Sequence, residues 1–156
     1  MKVLAFDQAK NTGYAVFEDD NLLISGVIKS THKDYLNVTD EIAGKLCVLI
    51  NTHKPDVLLL EDVQAQSNLK THKDLSMLLG ALRQVGVLEG LTVKILHTST
   101  WRTFLRKRYG ITGRPKRTEW KKYSKQFVLD EYNKKVKDDE ADAIAIGYYY
   151  VSKGEF

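Results

Sequence analysis

Two apolar runs, Val3 to Phe6 and Val57 to Leu60, have strand length and no polar interruption, and each stops at a carboxylate, Asp7 and Glu61. A strand with one wet face alternates, whereas a continuous run is buried on both faces and needs helices on either side of its sheet. The chain is therefore predicted to be α/β. An acid that closes such a run asks for an explanation, because burying a carboxylate costs on the order of several kcal/mol unless it is paired, hydrogen-bonded or bound to a metal.

The remaining pattern fits a sheet with flanking helices. Residues 2–7 read as the first strand, Asn11 to Gly13 as a turn, Tyr14 to Phe17 as a second strand, and Leu22 to Ile28, after the polar turn Glu18 to Asn21, as a third. These three suit an antiparallel meander. From Tyr35 to Ile50 the residues Leu36, Val38, Ile42, Ala43, Leu46, Leu49 and Ile50 recur at helical spacing. A second helix is predicted from Lys70 to Leu88, and Val93 to Leu96 is a fifth strand after Val57 to Leu60. Thr98, Ser99 or Thr100 would cap a helix beginning near Trp101. Tyr109 to Pro115 reads as a loop, Thr118 to Tyr132 as a basic helix and Asp138 to Val151 as a last helix.

At 156 residues the chain is expected to form a single domain over 1–156. Cys47 is the only cysteine, so no intrachain disulfide can form and a reducing compartment is expected. The apolar run before Asp7 is too short for a signal peptide, and no run approaches membrane-spanning length, so a cytoplasmic location without a membrane partner is expected.

Charge is unevenly distributed. Between Trp101 and Lys125 ten basic residues face one acid, Glu119, so although the net charge is +4 the rest of the chain carries −5. An acidic body with a basic arm points to a polyanionic partner. His32, His53, His72 and His97 lack paired metal-ligand spacing. Trp101, Trp120 and Tyr148 to Tyr150 lie at helical positions and are assigned to packing in preference to nucleic-acid stacking.

Asp139 and Asp142 are three apart, which on a helix sets both side chains on one face about 5–6 Å apart. The small apolar residues that follow, Ala143 to Gly147, let that helix pack closely while its first turn aims both acids at one point. The macrodipole favours acids there by only about 0.3–1 kcal/mol. Two like charges about 4 Å apart repel by roughly 4 kcal/mol at an effective dielectric of 20, so four clustered carboxylates require protons or divalent cations. Oxygen-only ligands select Mg²⁺ or Mn²⁺, and a pair of such ions suits phosphodiester hydrolysis. Asp138, Glu140 and Asp62 are nearby acids assigned to solvent or to supporting contacts, with Asp138 an alternative to Asp139 as ligand.

The order of these motifs carries a resemblance. Val-Leu-Ala-Phe before Asp7 with Asn-Thr-Gly-Tyr after it, Val-Leu-Leu-Leu before Glu61, and Asp139-Glu-Ala-Asp142 leading into Ala-Ile-Ala-Ile-Gly together resemble the RuvC family of Holliday junction resolvases, within the ribonuclease H-like superfamily. The sequence looks like a small phage-type or bacterial member. The resemblance implies a ribonuclease H-like fold whose mixed five-stranded sheet, order 3-2-1-4-5, is flanked by helices. It also implies a homodimer whose two sites cut opposed strands of a four-way junction or related branched DNA, with two Mg²⁺ ions per site and Mn²⁺ able to substitute. The products would carry 5′-phosphate and 3′-hydroxyl ends, and the setting would be a bacterial or phage-infected cell.

By residue, Asp7 looks like a ligand shared by both metals, Glu61 like the ligand on the fourth strand, and Asp139 and Asp142 like the helical acid pair. The family uses a lysine on the preceding helix near the scissile phosphate, which Lys121 matches best, with Lys116 and Lys122 as rivals. Gln64, Arg114, Lys116, Arg117, Lys121 and Lys122 are then the expected DNA contacts, and the helix from Lys70 to Leu88 matches the family's dimer segment. Three residues after the catalytic Glu the well-known bacterial enzymes carry a stacking Phe, where this chain has Gln64, so the resemblance does not carry over strict junction selectivity or base-sequence preference, and a relaxed preference for branched DNA would be consistent with this. Two other readings stand beside this one. An RNA-processing nuclease of the pre-16S ribosomal RNA type is disfavoured by the Leu-Leu-Leu-Glu61 strand end, and an inactive nucleic-acid-binding module by retention of all four acids.

Overall fold

A computed structural model describes residues 1–152. Its five strands are β1 (Lys2–Asp7), β2 (Asn11–Glu18), β3 (Asn21–Lys29), β4 (Val57–Glu61) and β5 (Thr92–Leu96). The helices are α1 (Tyr35–His53), α2 (Leu69–Leu88), α3 (Thr98–Trp101), α4 (Thr103–Tyr109), α5 (Arg117–Tyr132) and α6 (Asp138–Val151). The sheet order is β3-β2-β1-β4-β5. Strands β1, β2 and β3 pair antiparallel, whereas β4 pairs parallel with both β1 and β5. The predicted mixed sheet and its order are both present.

Alternate residues of the two apolar runs serve opposite cores, as continuous burial requires. Leu4, Phe6, Leu58 and Leu60 pack with Val38, Ile42, Leu46, Leu78 and Leu82 under α1 and α2. Val3, Ala5, Val57 and Leu59 pack on the other face with Trp101, Phe104, Phe127, Ile144 and Ile146 from α3 to α6. Asp34 and Asn68 cap α1 and α2 through their side chains.

Two local readings of the sequence are corrected. Asn11 to Gly13 lies inside β2, the chain having already reversed before Asn11, and Thr12 ties that bend through both the N–H and the carbonyl of Ala9. Gly13 serves close approach instead of a turn: a Cβ there would overlap the Asp139 carbonyl at the start of α6. The helix near Trp101 is two short ones that meet at Arg102, and Thr98 to Thr100 lie within the first of them, which His97 precedes without a side-chain cap bond.

At the far end of α6, a Cβ on Gly147 would enter the ring of Phe17. Gly44 on α1 faces open space. Gly147→Ala should therefore lower stability by about 1–3 kcal/mol through overpacking, whereas Gly44→Ala should raise it by up to about 1 kcal/mol. Chemical denaturation of the two variants against the parent checks the contrast in sign.

Candidate active site

Strand parity and pairing bring the first two acids together. Val3 and Ala5 of β1, and Val57 and Leu59 of β4, face the α6 side, so Asp7 and Glu61 turn to that side as well. The parallel register pairs Val3 with Val57 and Ala5 with Leu59, and the same offset carried to the strand ends sets Asp7 level with Glu61. Gln8, buried at the end of β1, fastens this arrangement. Its side-chain amide donates to the Glu61 carbonyl, and the Glu61 N–H donates to Gln8 Oε1 at 3.2 Å. Gly13 lies opposite Asp7 in the β1–β2 register and admits the first turn of α6, which delivers Asp139 and Asp142.

Asp7, Glu61, Asp139 and Asp142 line one cleft of about 560 Å³ together with Gln8, Arg102, Arg117, Trp120 and Lys121. Burial pushes the Asp7 carboxyl well above the usual carboxylate range, and the nearby Asp142, Glu61 and Asp139 push it further, with Lys121 opposing. Burial also raises Glu61, with Asp142 adding to the shift, but the indole N–H of Trp101, donating to Glu61 Oε2 at 2.7 Å, and the charge of Arg102 act against it. Asp142 is raised by burial and by Asp139, and restrained by Lys121, whose Nζ is 3.7 Å from Asp142 Oδ2, and by Arg102. Asp139 is raised by burial and lowered by Lys121. The buried hydroxyls of Thr98 and Ser124 favour the ionised forms of Glu61 and Asp142, although neither reaches hydrogen-bond geometry.

Among the described residues no group of three or more His, Cys, Asp or Glu side chains is arranged to hold a metal ion. The donor chemistry nonetheless fits one. Four hard oxygen donors share a cleft that resists accumulating negative charge, so neutralisation by protons or by a divalent cation is the physical alternative to repulsion. In such a site Asp7, Glu61, Asp139 and Asp142 would be the ligands. Asp138 is drawn away, its carboxylate 2.9 Å from Lys125 Nζ, and Asp139 alone of the two lines the cleft.

The other expected residues divide. Gln64, Arg117 and Lys121 line the cleft, whereas Arg114, Lys116 and Lys122 are exposed and lie outside its lining. The basic segment is less of an arm than its composition suggests. Arg108 pairs with Glu131 at 2.8 Å, Arg106 donates to the carbonyls of Ile111 and Gly113, and Arg102 stands in the cleft.

Gln8, Trp101 and Arg102 were missed as site residues by sequence reasoning. The signal for Gln8 was its place directly after an acid at a strand end. For Trp101 and Arg102 it was an indole donor and a cation immediately following the fifth strand, beside the acid-bearing fourth.

No protein-family model matches the sequence, and no curated protein matches it in sequence. Solved structures do match in three dimensions. Thermus thermophilus RuvC in complex with a Holliday junction substrate is 15% identical, with a TM-score of 0.77 over 98% of this chain and 95% of that one. The yeast mitochondrial Holliday junction resolvase is 13% identical, with a TM-score of 0.67 over 98% and 78% of the two chains. The fowlpox virus Holliday junction resolvase is 18% identical, with a TM-score of 0.63 over 98% and 99%. The chain thus has the ribonuclease H-like fold these resolvases share, over nearly its whole length. No helix among the described residues is long and apolar enough to cross a membrane.

The raised Asp7 carboxyl has a consequence for stability. A carboxyl raised on folding contributes most below the ordinary carboxylate range, and that contribution is lost as pH rises through the raised value. In chelator-containing buffer Asp7→Asn should therefore be more stable than the parent at pH 8 and equal to it at pH 3. Urea denaturation at the two pH values checks this, and a variant less stable at pH 8 would contradict it.

Proposed function

We propose that the chain is a metal-dependent, structure-selective endodeoxyribonuclease that acts as a homodimer on Holliday junctions or related branched DNA. The observation that carries this reading is the convergence of Asp7, Glu61, Asp139 and Asp142, from three separate segments, on one cleft that also holds Lys121 and Arg102. Lone acids at strand ends are ordinary, but four in one cleft beside cations suit a phosphate that arrives with bound cations.

When bound, a pair of Mg²⁺ or Mn²⁺ ions supplies deprotonation of an attacking water and neutralises charge on the leaving oxygen. The four carboxylates would hold and space those ions. Lys121, whose ammonium is 3.7 Å from Asp142, would meet a non-bridging phosphate oxygen as charge builds there. In the hydrolysis a water oxygen bonds to phosphorus and the bond to the 3′ oxygen breaks, leaving a 3′-hydroxyl and a 5′-phosphate.

A homodimer would present two clefts to opposed strands of a four-way junction. At the C-terminal end of α2, the adjacent Val87 and Leu88 are 45% and 76% exposed, apolar surface that a second copy could cover. Their coverage by a second copy is consistent with the dimer segment the family resemblance implies. The neighbouring structures of the Thermus and fowlpox enzymes hold Holliday junctions, which makes the four-way junction the first substrate to try.

Purified protein mixed with a four-way junction and Mg²⁺ should give paired symmetric nicks, and Asp7→Asn should slow them by more than about 100-fold, beyond the effect of removing a group that only supports a ligand. Intact junctions, or preferential cutting of RNA, would reject the reading. Lys121→Ala should slow single-turnover cleavage by about 100-fold while changing junction affinity far less. Removing Arg114, Lys116 and Arg117 together should flatten the dependence of log K on log salt by about 0.9 for each phosphate no longer neutralised, read by binding titrations at several salt concentrations.

A further inference from the structure

Both tryptophans of the chain, Trp101 and Trp120, stand in one column beside the cleft. The Arg102 guanidinium is 5.2 Å from the ring centre of Trp101 and 4.8 Å from that of Trp120, and the Arg106 guanidinium is 5.0 Å from Trp120. The column therefore runs Trp101, Arg102, Trp120, Arg106. At the inner end the Trp101 indole donates to Glu61 Oε2 at 2.7 Å. At the outer end Arg106 donates to the Gly113 carbonyl at 3.0 Å and the Ile111 carbonyl at 3.4 Å, while its own carbonyl accepts from the Ile111 N–H.

Ordinary packing does not account for all of this. Apolar side chains would fill the same space without burying a polar atom, whereas Arg102 Nε is buried with no hydrogen-bond partner, a cost that packing alone leaves unexplained. Contact with both rings limits where the Arg102 guanidinium can sit, and from there its charge acts on Glu61 and Asp142. Arg106 is absent from the cleft lining, yet it fixes the ring that fixes Arg102.

We propose that Trp120 and Arg106 are positioning residues, acting through Arg102 and Trp101 to set the Glu61 carboxylate, and that the column ties Glu61 to the loop at 110–116 that carries Arg114 and Lys116. The link to cleavage rests on the nuclease reading above, whereas the link to Glu61 does not. A substitution at Arg106, outside the cleft, then disturbs a carboxylate inside it.

The two tryptophans make the column observable by fluorescence without any cleavage. In Trp120→Phe, which keeps an aromatic face in the column, Trp101 is the only tryptophan, and with excitation to the red of tyrosine absorption Mg²⁺ binding should change its emission because its indole is bonded to Glu61. Adding Arg106→Gln should raise the Mg²⁺ midpoint by at least about threefold, an effect in keeping with removal of a group that supports a metal ligand. Arg106→Lys, which keeps a charge over the ring, should restore the midpoint to within about twofold. As a second approach to the same link, Trp120→Leu in place of Trp120→Phe should raise the midpoint without touching Arg106. On a four-way junction, Arg106→Gln should lower kcat more than it raises KM.

The proposal is overturned if Trp101 emission ignores Mg²⁺, or if a cooperatively folding Arg106→Gln variant and Trp120→Leu both keep the parent midpoint. A shifted midpoint in a protein that cuts no branched DNA would uphold the column and reject the nuclease reading instead, so the two failures are distinct.

Discussion

The closeness of α6 to the sheet is the constraint on which the site depends. Asp139 and Asp142 are placed by a helix whose first turn rests on the backbone of β2 at Gly13 and whose last turns rest on Phe17 through Gly147. Either approach would be blocked by a single methyl group, and both lie along a helix that buries every residue from Ala141 to Gly147. Packing this tight resists rotation of the helix about its axis. A rotation of one residue, about 100° on a 3.6-residue helix, would carry the acid pair out of the cleft. Apolar burial thus supplies the precision that the acids themselves oppose, since Asp7, Asp139 and Asp142 repel one another.

That opposition sets stability against chemistry. Asp7 is buried and acted on by three other carboxyls, with Lys121 opposing them, and its carboxyl is raised well above its ordinary range as a result. The supporting groups answer this repulsion piecemeal: Gln8 by locking the strand ends, Trp101 by donating to Glu61, Lys121 and Arg102 by adding positive charge. None of them neutralises the whole set. Protons or a divalent cation would complete the neutralisation, and under the function proposed above a cation would serve the chemistry as well.

Much of this was legible before the structure, for reasons that can be named. Uninterrupted apolar runs ending in Asp7 and Glu61 revealed the inner strands, because burial on both faces leaves a continuous apolar pattern and four residues are too few for a buried helix. Helical spacing revealed the acid pair of α6. Gly13 was misread because glycine marks both turns and close approaches, and only the partner across the gap, the Asp139 backbone, tells them apart. The basic segment was overread for a similar reason. Composition counts charges but not their partners, and Arg102, Arg106 and Arg108 are occupied by rings, carbonyls and Glu131. Sheet order came from the family resemblance, since pairing among distant strands leaves no mark within any one of them.

Under the function proposed above, substrate choice would follow from what faces the cleft and what does not. The segment from Asp62 to Gln66 forms one wall and carries no aromatic side chain, and Gln64 is exposed there. The tryptophans that could substitute are turned inward, Trp101 at 0% and Trp120 at 6% exposure, and are engaged with arginines. Stacking on an unpaired base, worth roughly 1–3 kcal/mol per base in proteins that use it, therefore has no donor at this wall. Glutamine amides can hydrogen-bond an unpaired base edge, but water competes for the same groups at an exposed position, which limits the net gain to about 0.5–1.5 kcal/mol per bond. Under the function proposed above, discrimination among branched DNAs would then fall to shape: the spacing of two clefts in a dimer, and the reach of Arg114, Lys116 and Arg117 toward backbone phosphates. Such contacts read where strands run and not which bases they carry, so on the proposed nuclease reading branch geometry would weigh more than base sequence.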